Sequence, residues 1–300
     1  MPAYESHPDS DSLITGHVKG RAVSRFLHRH RNVRLVGLLA APMTWLVLAY
    51  LGSLAALLIT SFYSVDSFTT KMVKDFSLGN YRELLDGEVF RRVTLRTISV
   101  AAAVTILDLV LALPIAFYLA KVASPRVRRV LVVATTIPLW ASYIVKAFAW
   151  RTFLDPAGGL IKKVFGVSPG FGLTSIVIVL GYLWLPFAIL PIYAGLERLP
   201  DSLLEASADL GGRAGVTVRK VIVPILVPAI IAATIFTFSL SLGDYITVDI
   251  VGGKTQMIGS VIYDNFGPNP PLAAAFSVVP LLAMMVYIAL IRRTGALENL

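Results

Sequence analysis

A few side chains in this sequence could bind or guide a charged ligand, and two of them interrupt strongly apolar stretches. Asp108 lies within "VTILDLVLAL" and Lys146 lies within "SYIVKAFAW". A charge in such a stretch is costly and usually faces a cavity or a charged partner. Asp108 could therefore offer a carboxylate to a passing cation. The alternative is a structural ion pair with Lys146, which would neutralise that carboxylate.

Aromatic residues accompany Lys146 at helical spacing. At 100° per residue, four side chains fall within one arc of about 120°: Trp140, Tyr143, Lys146 and Trp150. Aromatic faces attract ammonium groups by ~0.5–2 kcal/mol, so the arc predicts a passage for an organic amine. An interfacial aromatic belt with ordinary helix packing is the alternative, and it applies equally to Tyr182 and Trp184.

Acidic residues gather after the fifth apolar stretch, where "SLGDYITVDIVGG" begins a loop. Asp244, Asp249 and Asp264 oppose only Lys254 there, so the loop carries a net charge of −2. Such a loop would attract a cation, and we expect Asp244 and its neighbour Tyr245 to line the pathway.

Catalytic and metal-binding chemistry is not indicated. The chain has no cysteine, and its four histidines all lie within the first 30 residues, so no thiolate or histidine site can form in the apolar stretches. "VGGKTQ" resembles part of a phosphate-binding loop, but that motif requires a glycine where Val248 stands. We predict no catalytic residue, no metal, no cofactor and no nucleotide site.

The elements that must position these residues are six apolar segments. Of the 300 residues 56% are hydrophobic and 15% are charged, against ~45–50% and ~25% in soluble domains. Helices of about 20 residues cross a bilayer, and barrel strands would alternate in polarity. The composition predicts an all-α integral membrane protein and excludes a soluble domain. The predicted spans are 35–62, 97–120, 130–149, 175–194, 221–242 and 272–291.

Basic residues predict the orientation. With both termini inside, the inner segments hold 16 Lys and Arg and the outer loops hold 10, which follows the positive-inside rule. The net charge of +9 is therefore an orientation signal and not a nucleic-acid footprint. Residues 1–34 are expected to form a cytoplasmic, basic and partly disordered N-terminus. The first outer loop, 63–96, is expected to contain a short amphipathic helix.

The inner loop 195–224 has the most informative pattern. Pro200, Asp201 and Ser202 form a helix-start signal, an apolar stripe follows, and Gly211 with Gly212 ends the helix. The pattern predicts two short helices joined by a glycine turn. A projecting helix of this kind could be the contact site for a soluble partner protein.

This loop resembles the EAA loop of permease subunits of binding-protein-dependent ABC importers. The family pattern is Glu-Ala-Ala, three residues, Gly, nine residues, Ile-x-Leu-Pro. Here Glu205-Ala206-Ser207 is followed at the same spacing by Gly211 and then by Val221-Ile222-Val223-Pro224. Ser207, Val221 and Val223 are small departures. "TTIPLWASYIVKAFAWRTFLDPAGGLI" and "SLGDYITVDIVGG" resemble the spermidine/putrescine branch, although Lys146 stands where arginine is usual. The resemblance covers roughly 35–291.

The resemblance implies a type I ABC importer permease with six transmembrane helices, a coupling helix and no catalytic activity of its own. Contact with the ATPase would then involve Glu205, Ala206, Ser207, Asp209, Leu210 and Gly211. The implied partners are a homologous second permease, a dimer of cytoplasmic ATPase subunits, and a periplasmic or lipid-anchored substrate-binding protein. The implied location is the bacterial cytoplasmic membrane. The implied function is ATP-driven import of polyamines such as spermidine and putrescine, delivered by the external binding protein. An opine, an iron chelate or another organic cation is an alternative substrate, and an ion-coupled secondary transporter is an alternative class.

Overall fold

The computed structural model describes residues 31–66, 69 and 71–293. The predicted N-terminal segment 1–34 therefore lies outside the described residues except for its last four. The chain divides into two compact units, Met1–Ile59 and Thr60–Leu300.

The first unit is helical wherever it is described. It contains α1 (Arg31–Leu46), a π-helical turn (Val47–Leu51) and α2 (Gly52–Thr60). Together they form a continuous apolar helix, Leu39–Thr60, long enough to cross a bilayer. It covers most of the predicted span 35–62.

The second unit is almost wholly helical. A two-residue antiparallel pair joins β1 (Ser64–Val65) to β2 (Met72–Val73). The first helices are α3 (Gly79–Asp86), α4 (Glu88–Phe117), which ends in a π-helical turn (Tyr118–Val122), α5 (Pro125–Trp140), α6 (Tyr143–Leu154) and α7 (Leu160–Phe165). They are followed by α8 (Leu173–Glu197), α9 (Asp201–Asp209), α10 (Ala214–Thr217), a π-helical turn (Val218–Ile222), α11 (Val223–Leu242), α12 (Ile246–Val251), α13 (Ile258–Asn265) and α14 (Pro270–Arg293).

Four predicted spans of this unit coincide with long apolar helices. They are 97–120, 175–194, 221–242 and 272–291, and they lie within Glu88–Val122, Leu173–Glu197, Gly215–Leu242 and Pro270–Arg293. The largest difference is at Glu88, nine residues before the expected start, because the segment "VFRRVTLRT" continues the helix. A Glu88–Arg92 ion pair of 2.7 Å supports this first turn. The short helix expected in the loop 63–96 is α3.

The third predicted span is wrong as a single helix. Residues 130–149 are divided between α5 and α6, which meet at an angle of 96°. Ala141 and Ser142 have extended backbone between them. Pro138 has no N–H to donate, which weakens the last turn of α5. The described residues thus contain five helices that could cross a membrane, and six if the bent pair counts as one.

The core lies where α4, α8 and α11 pack together. The buried residues of α4 recur every three or four positions and form one continuous face: Val93, Thr97, Val100, Val104, Asp108, Ala112 and Ala116. Many of them are small, which allows close helix contact where lipid supplies no hydrophobic driving force. A hydrogen bond of 3.3 Å from Thr237 to Thr105 links α11 to α4.

Candidate functional site

Tyr143, Trp184, Asp244 and Thr247 come together from four separate parts of the second unit, and we call them the Tyr143 cluster. The bend places Tyr143 at the first residue of α6. Its hydroxyl donates to the Asp244 carboxylate and lies 2.5 Å from the Thr247 hydroxyl. Its ring stacks on Trp184 of α8, with centroids 5.7 Å apart. Three of the four were predicted from the sequence, and Thr247 was not.

Asp244 follows α11 at the start of the acidic segment, and it is buried. It is only 8% exposed. The Thr247 backbone N–H donates to its Oδ1 at 2.9 Å, and Tyr143 donates to Oδ2. Burial raises the pKa of the Asp244 carboxyl above its usual range, and the hydrogen bonds from Tyr143 and Thr247 oppose that rise. The carboxylate is buried because α6 packs over α12 and covers it.

Trp140 does not share an arc with Tyr143, Lys146 and Trp150. It is the last residue of α5, on the other side of the bend, and it is 89% exposed. The predicted four-residue arc is therefore wrong, because it assumed one continuous helix. Within α6, Trp150 packs on Tyr182 of α8 at 5.3 Å.

Lys146 is engaged at the bend itself. Its Nζ donates to the Pro138 carbonyl at 2.9 Å. That carbonyl would accept from residue 142 if α5 continued, so Lys146 replaces a lost helical bond. The ammonium thus holds α5 to α6 across the break, which favours a structural role over contact with substrate.

Asp108 faces α8 at the centre of the α4 core and is fully buried. Gly181 lies opposite, and a Cβ there would be 3.4 Å from Oδ1 of Asp108. Among the residues that the structure describes, neither carboxylate oxygen has a hydrogen-bond partner, and the same is true of Nε1 of Trp184. The ion pair with Lys146 that the sequence allowed is not formed. A buried polar group without a partner is uncommon and costly, which makes Asp108 a candidate for contacts in another conformation.

Tyr245 lies outside the Tyr143 cluster, in the wall of a separate cavity of about 220 Å³. Its ring stacks on Tyr263 of α13 with centroids 4.6 Å apart. Asp249, Lys254 and Asp264 also line this cavity. The acidic residues of this segment therefore lie in two places. Asp244 is buried, whereas Asp249 and Asp264 line the open cavity.

Arg151 is a residue that sequence reasoning missed. Its guanidinium donates to the Ile250 carbonyl and lies 4.8 Å from the Phe171 ring centroid. These contacts fix α6 to the end of α12, so Arg151 helps to place Tyr143 beside Asp244. Arg151 and Ile250 are 99 positions apart, and no local pattern signals their contact.

The segment 195–224 contains the two short helices that were predicted, α9 and α10. Gly211 between them has φ of 76°, where a side chain would be strained. The Gly212 N–H donates to the Ser207 carbonyl at 2.8 Å, and the hydroxyls of Ser207 and Thr217 are 2.8 Å apart. The turn is therefore held by its own hydrogen bonds.

The surface of α9 is open to a partner. Glu205, Ala206 and Asp209 are exposed, and Leu210 is 89% exposed at its end. Helix α9 thus presents a solvent-exposed, mostly polar face with one exposed leucine at its end.

Comparison with known proteins agrees with this architecture. Residues 109–294 match the family described as "Binding-protein-dependent transport system inner membrane component". The chain is 40% identical to the inner membrane ABC transporter permease protein YdcU of Escherichia coli strain K12, over 93% of this chain and 95% of that one. It is 31% identical to the spermidine/putrescine transport system permease protein PotB of the same strain, over 85% and 95%.

A solved structure gives the same fold. A bacterial alginate ABC transporter, crystallised with an alginate pentasaccharide-bound periplasmic protein, has a chain that superposes with a TM-score of 0.70. That chain is 14% identical, and the match covers 90% of this chain and 97% of that one. The family match, together with the 40% identical ABC permease, excludes an ion-coupled secondary transporter. The chain belongs to the family of inner membrane components of binding-protein-dependent transport systems, and it is a permease subunit of an ABC importer.

Proposed function

We propose that this permease imports polyamines of the spermidine/putrescine class, delivered by an external binding protein. The observation that carries the proposal is the Tyr143 cluster, which sets a buried carboxylate beside two stacked aromatic rings. Relatives at 31% identity are named as spermidine/putrescine permeases. A polyamine is a chain of ammonium groups, and carboxylates and aromatic faces are the groups that attract ammonium.

Asp244 supplies the charge at this site. Its carboxylate lies in a poorly solvated position, where attraction to a cation is stronger than in water. Tyr143 and Thr247 hold the carboxylate in place, so the site is preorganised and an arriving ammonium does not have to order it. Trp184 adds a second aromatic face. Asp108 would act deeper in the pathway, in a conformation that separates α4 from α8.

The segment 195–224 would transmit the action of the ATPase. Helix α9 docks on an ATPase subunit through its exposed residues, and closure of the ATPase dimer moves the bundle between its two states. Glu205 makes a polar contact at this interface, and Ala206 and Ser207 allow close packing. ATP is hydrolysed by the partner and not by this chain.

The full assembly is a pair of homologous permeases, a dimer of cytoplasmic ATPase subunits and a periplasmic or lipid-anchored binding protein. It lies in the bacterial cytoplasmic membrane, surrounded by lipid, with both termini of this chain in the cytoplasm. Nucleic acid is not a partner.

Competition in whole cells tests the substrate class. Uptake of labelled spermidine is measured against excess putrescine, an opine, an iron chelate and a neutral diol of the length of putrescine. Putrescine should compete and the diol should not, because only the ammonium groups are recognised. If the opine or the iron chelate competes and putrescine does not, the substrate class is that of the competitor and the polyamine proposal is wrong.

Two variants test the proposed residues. Asp108→Asn should lower uptake while the ATPase still co-purifies, and unchanged uptake would make Asp108 structural. Glu205→Lys should weaken association with the ATPase, because it reverses the charge on the exposed face of α9. Intact association and uptake would exclude the proposed coupling role of this segment.

A further inference from the structure

We infer that Lys121 is a positioning residue that fixes the start of the coupling helix α9 to the transmembrane core. The inference rests on the proposed role of α9 in coupling. Lys121 lies in the π-helical turn Tyr118–Val122 that ends α4. In the sequence, Lys121 is one of the 16 basic residues of the predicted inner segments, and nothing there distinguishes it from the others.

Lys121 joins three elements through one ammonium group. Its Nζ donates to the Leu199 carbonyl at 2.6 Å and to Oδ1 of Asp201 at 2.7 Å. Leu199 lies in the turn between α8 and α9, and Asp201 is the first residue of α9. One side chain from the end of α4 therefore holds both the turn and the helix that follows it.

The burial of the two partners is unequal, and this indicates which bond anchors the contact. The Lys121 side chain is 11% exposed, whereas the Asp201 side chain is 75% exposed. An exposed ion pair alone is worth little. The bond to the Leu199 carbonyl is partly buried, and a charged donor strengthens it. The carbonyl bond is the anchor, and Asp201 completes it with a charge at the N-terminus of α9.

The charge of Lys121 also acts on Asp201. Its hydrogen bond and its positive charge hold the pKa of the Asp201 carboxyl below its usual range. Arg128 adds to this effect and donates to the Ala120 carbonyl at 2.7 Å. Asp201 thus stays ionised across the physiological pH range, and the ion pair persists there.

The anchor is built on a rigid base. Leu119, Leu196 and Leu199 are buried in one hydrophobic cluster formed by α4, α8 and the turn. Among the described residues, the other ion pair, Glu88–Arg92, lies within a single helix. The Lys121–Asp201 pair is therefore the one that crosses between elements, and it does so where motion of α9 must enter the bundle.

Uptake by the assembled transporter gives the first test. Lys121→Met keeps the length of the side chain and removes its charge and donors, so we expect uptake to fall about tenfold, with ATPase co-purification and basal ATPase activity unchanged. Lys121→Arg should retain most of the uptake, because a guanidinium can donate to both acceptors. Asp201→Asn should lower uptake less than Lys121→Met, since the Leu199 bond remains.

Arg129→Met is the matched control. Arg129 is a cation near the same end of the bundle. Within the described part of the chain, its hydrogen bond goes to the Pro125 carbonyl of its own helix, at 3.3 Å from Nε. It should leave uptake unchanged. If Lys121→Met and Arg129→Met lower uptake equally, the cause is the general loss of positive charge, and the inference is wrong.

Distance measurements test the anchor without relying on uptake. The chain has no cysteine, so spin labels can be placed at exposed Val122 and Ser202. With Lys121 present, the distribution of distances between the two labels should be narrow and should be the same in nucleotide-free and ATP-trapped complexes. Lys121→Met should broaden it. An unchanged distribution in Lys121→Met, or a nucleotide-dependent shift with Lys121 present, would refute the inference.

The outcome for Glu205→Lys separates this inference from the proposed function. If Glu205→Lys impairs coupling and Lys121→Met does not, only the anchor is wrong. If Glu205→Lys has no effect, the coupling role of α9 fails first, and the label distances still report whether Lys121 fixes the helix.

Discussion

Removing the hydroxyl of Tyr143 tests the hydrogen bonds that hold the buried Asp244 carboxylate. Tyr143→Phe keeps the ring and its stacking on Trp184, with centroids 5.7 Å apart, and removes the donor to Asp244. A hydrogen bond to a charged group contributes about 1.5–3 kcal/mol. The Thr247 N–H at 2.9 Å remains, so we expect a loss near the lower end, about 1.5 kcal/mol.

The assay is denaturant unfolding of the purified permease in mixed micelles, followed by tryptophan fluorescence. Tyr193→Phe is the matched control, because its hydroxyl donates to Glu197 at 3.0 Å in an exposed pair. A surface change of this kind costs within about 0.5 kcal/mol. If Tyr143→Phe is no more destabilising than Tyr193→Phe, the Asp244 contact is not the significant interaction that the burial indicates.

Three further substitutions address the bend, the helix contact and the carboxylate. Lys146→Met should lower the thermal unfolding midpoint, because the Pro138 carbonyl loses its donor; an unchanged midpoint would argue against this brace. Gly181→Val should be destabilising by about 1–3 kcal/mol in the same denaturant assay, since even its Cβ would lie 2.8 Å from Leu107 Cδ2 and 3.4 Å from Oδ1 of Asp108; full stability would show that these side chains can move aside. Asp244→Asn should lower polyamine uptake and remove part of its pH dependence. Because burial raises the pKa of Asp244, the wild-type carboxylate gains a proton at a higher pH than a solvated aspartate does. Wild-type uptake should therefore fall towards that of the variant at low pH, and a constant ratio between them would exclude titration of Asp244.

Five of the six predicted spans coincide with long helices, because membrane spans are encoded by composition over about 20 residues. The bend between α5 and α6 could not be predicted, since the apolar run 130–149 continues through it without a glycine. Pro138 was the local signal for the bend. Proline is tolerated inside transmembrane helices, however. Helix α8 of the same chain continues through Pro186 and Pro191.

The site was partly predictable for a similar reason. Residue types identified Tyr143, Trp184 and Asp244 as candidates, because aromatic faces and carboxylates attract ammonium groups and acidic side chains are rare beside membrane spans. Their assembly depends on contacts across 101 positions for Tyr143 and Asp244 and about 80 for Lys121 and Asp201. Burial of Asp244 and the anchor at Lys121 are products of this packing and leave no periodic pattern in the sequence.

Import into proteoliposomes shows whether this permease carries polyamines in an ATP-driven transporter. The permease is reconstituted with its partner permease and the ATPase subunits, and labelled spermidine is supplied with the binding protein outside and ATP inside. We expect spermidine to accumulate only when both ATP and the binding protein are present, and we expect Asp244→Asn to reduce this accumulation. Accumulation without ATP, or ATP-driven import of another substrate with none of spermidine or putrescine, would contradict it.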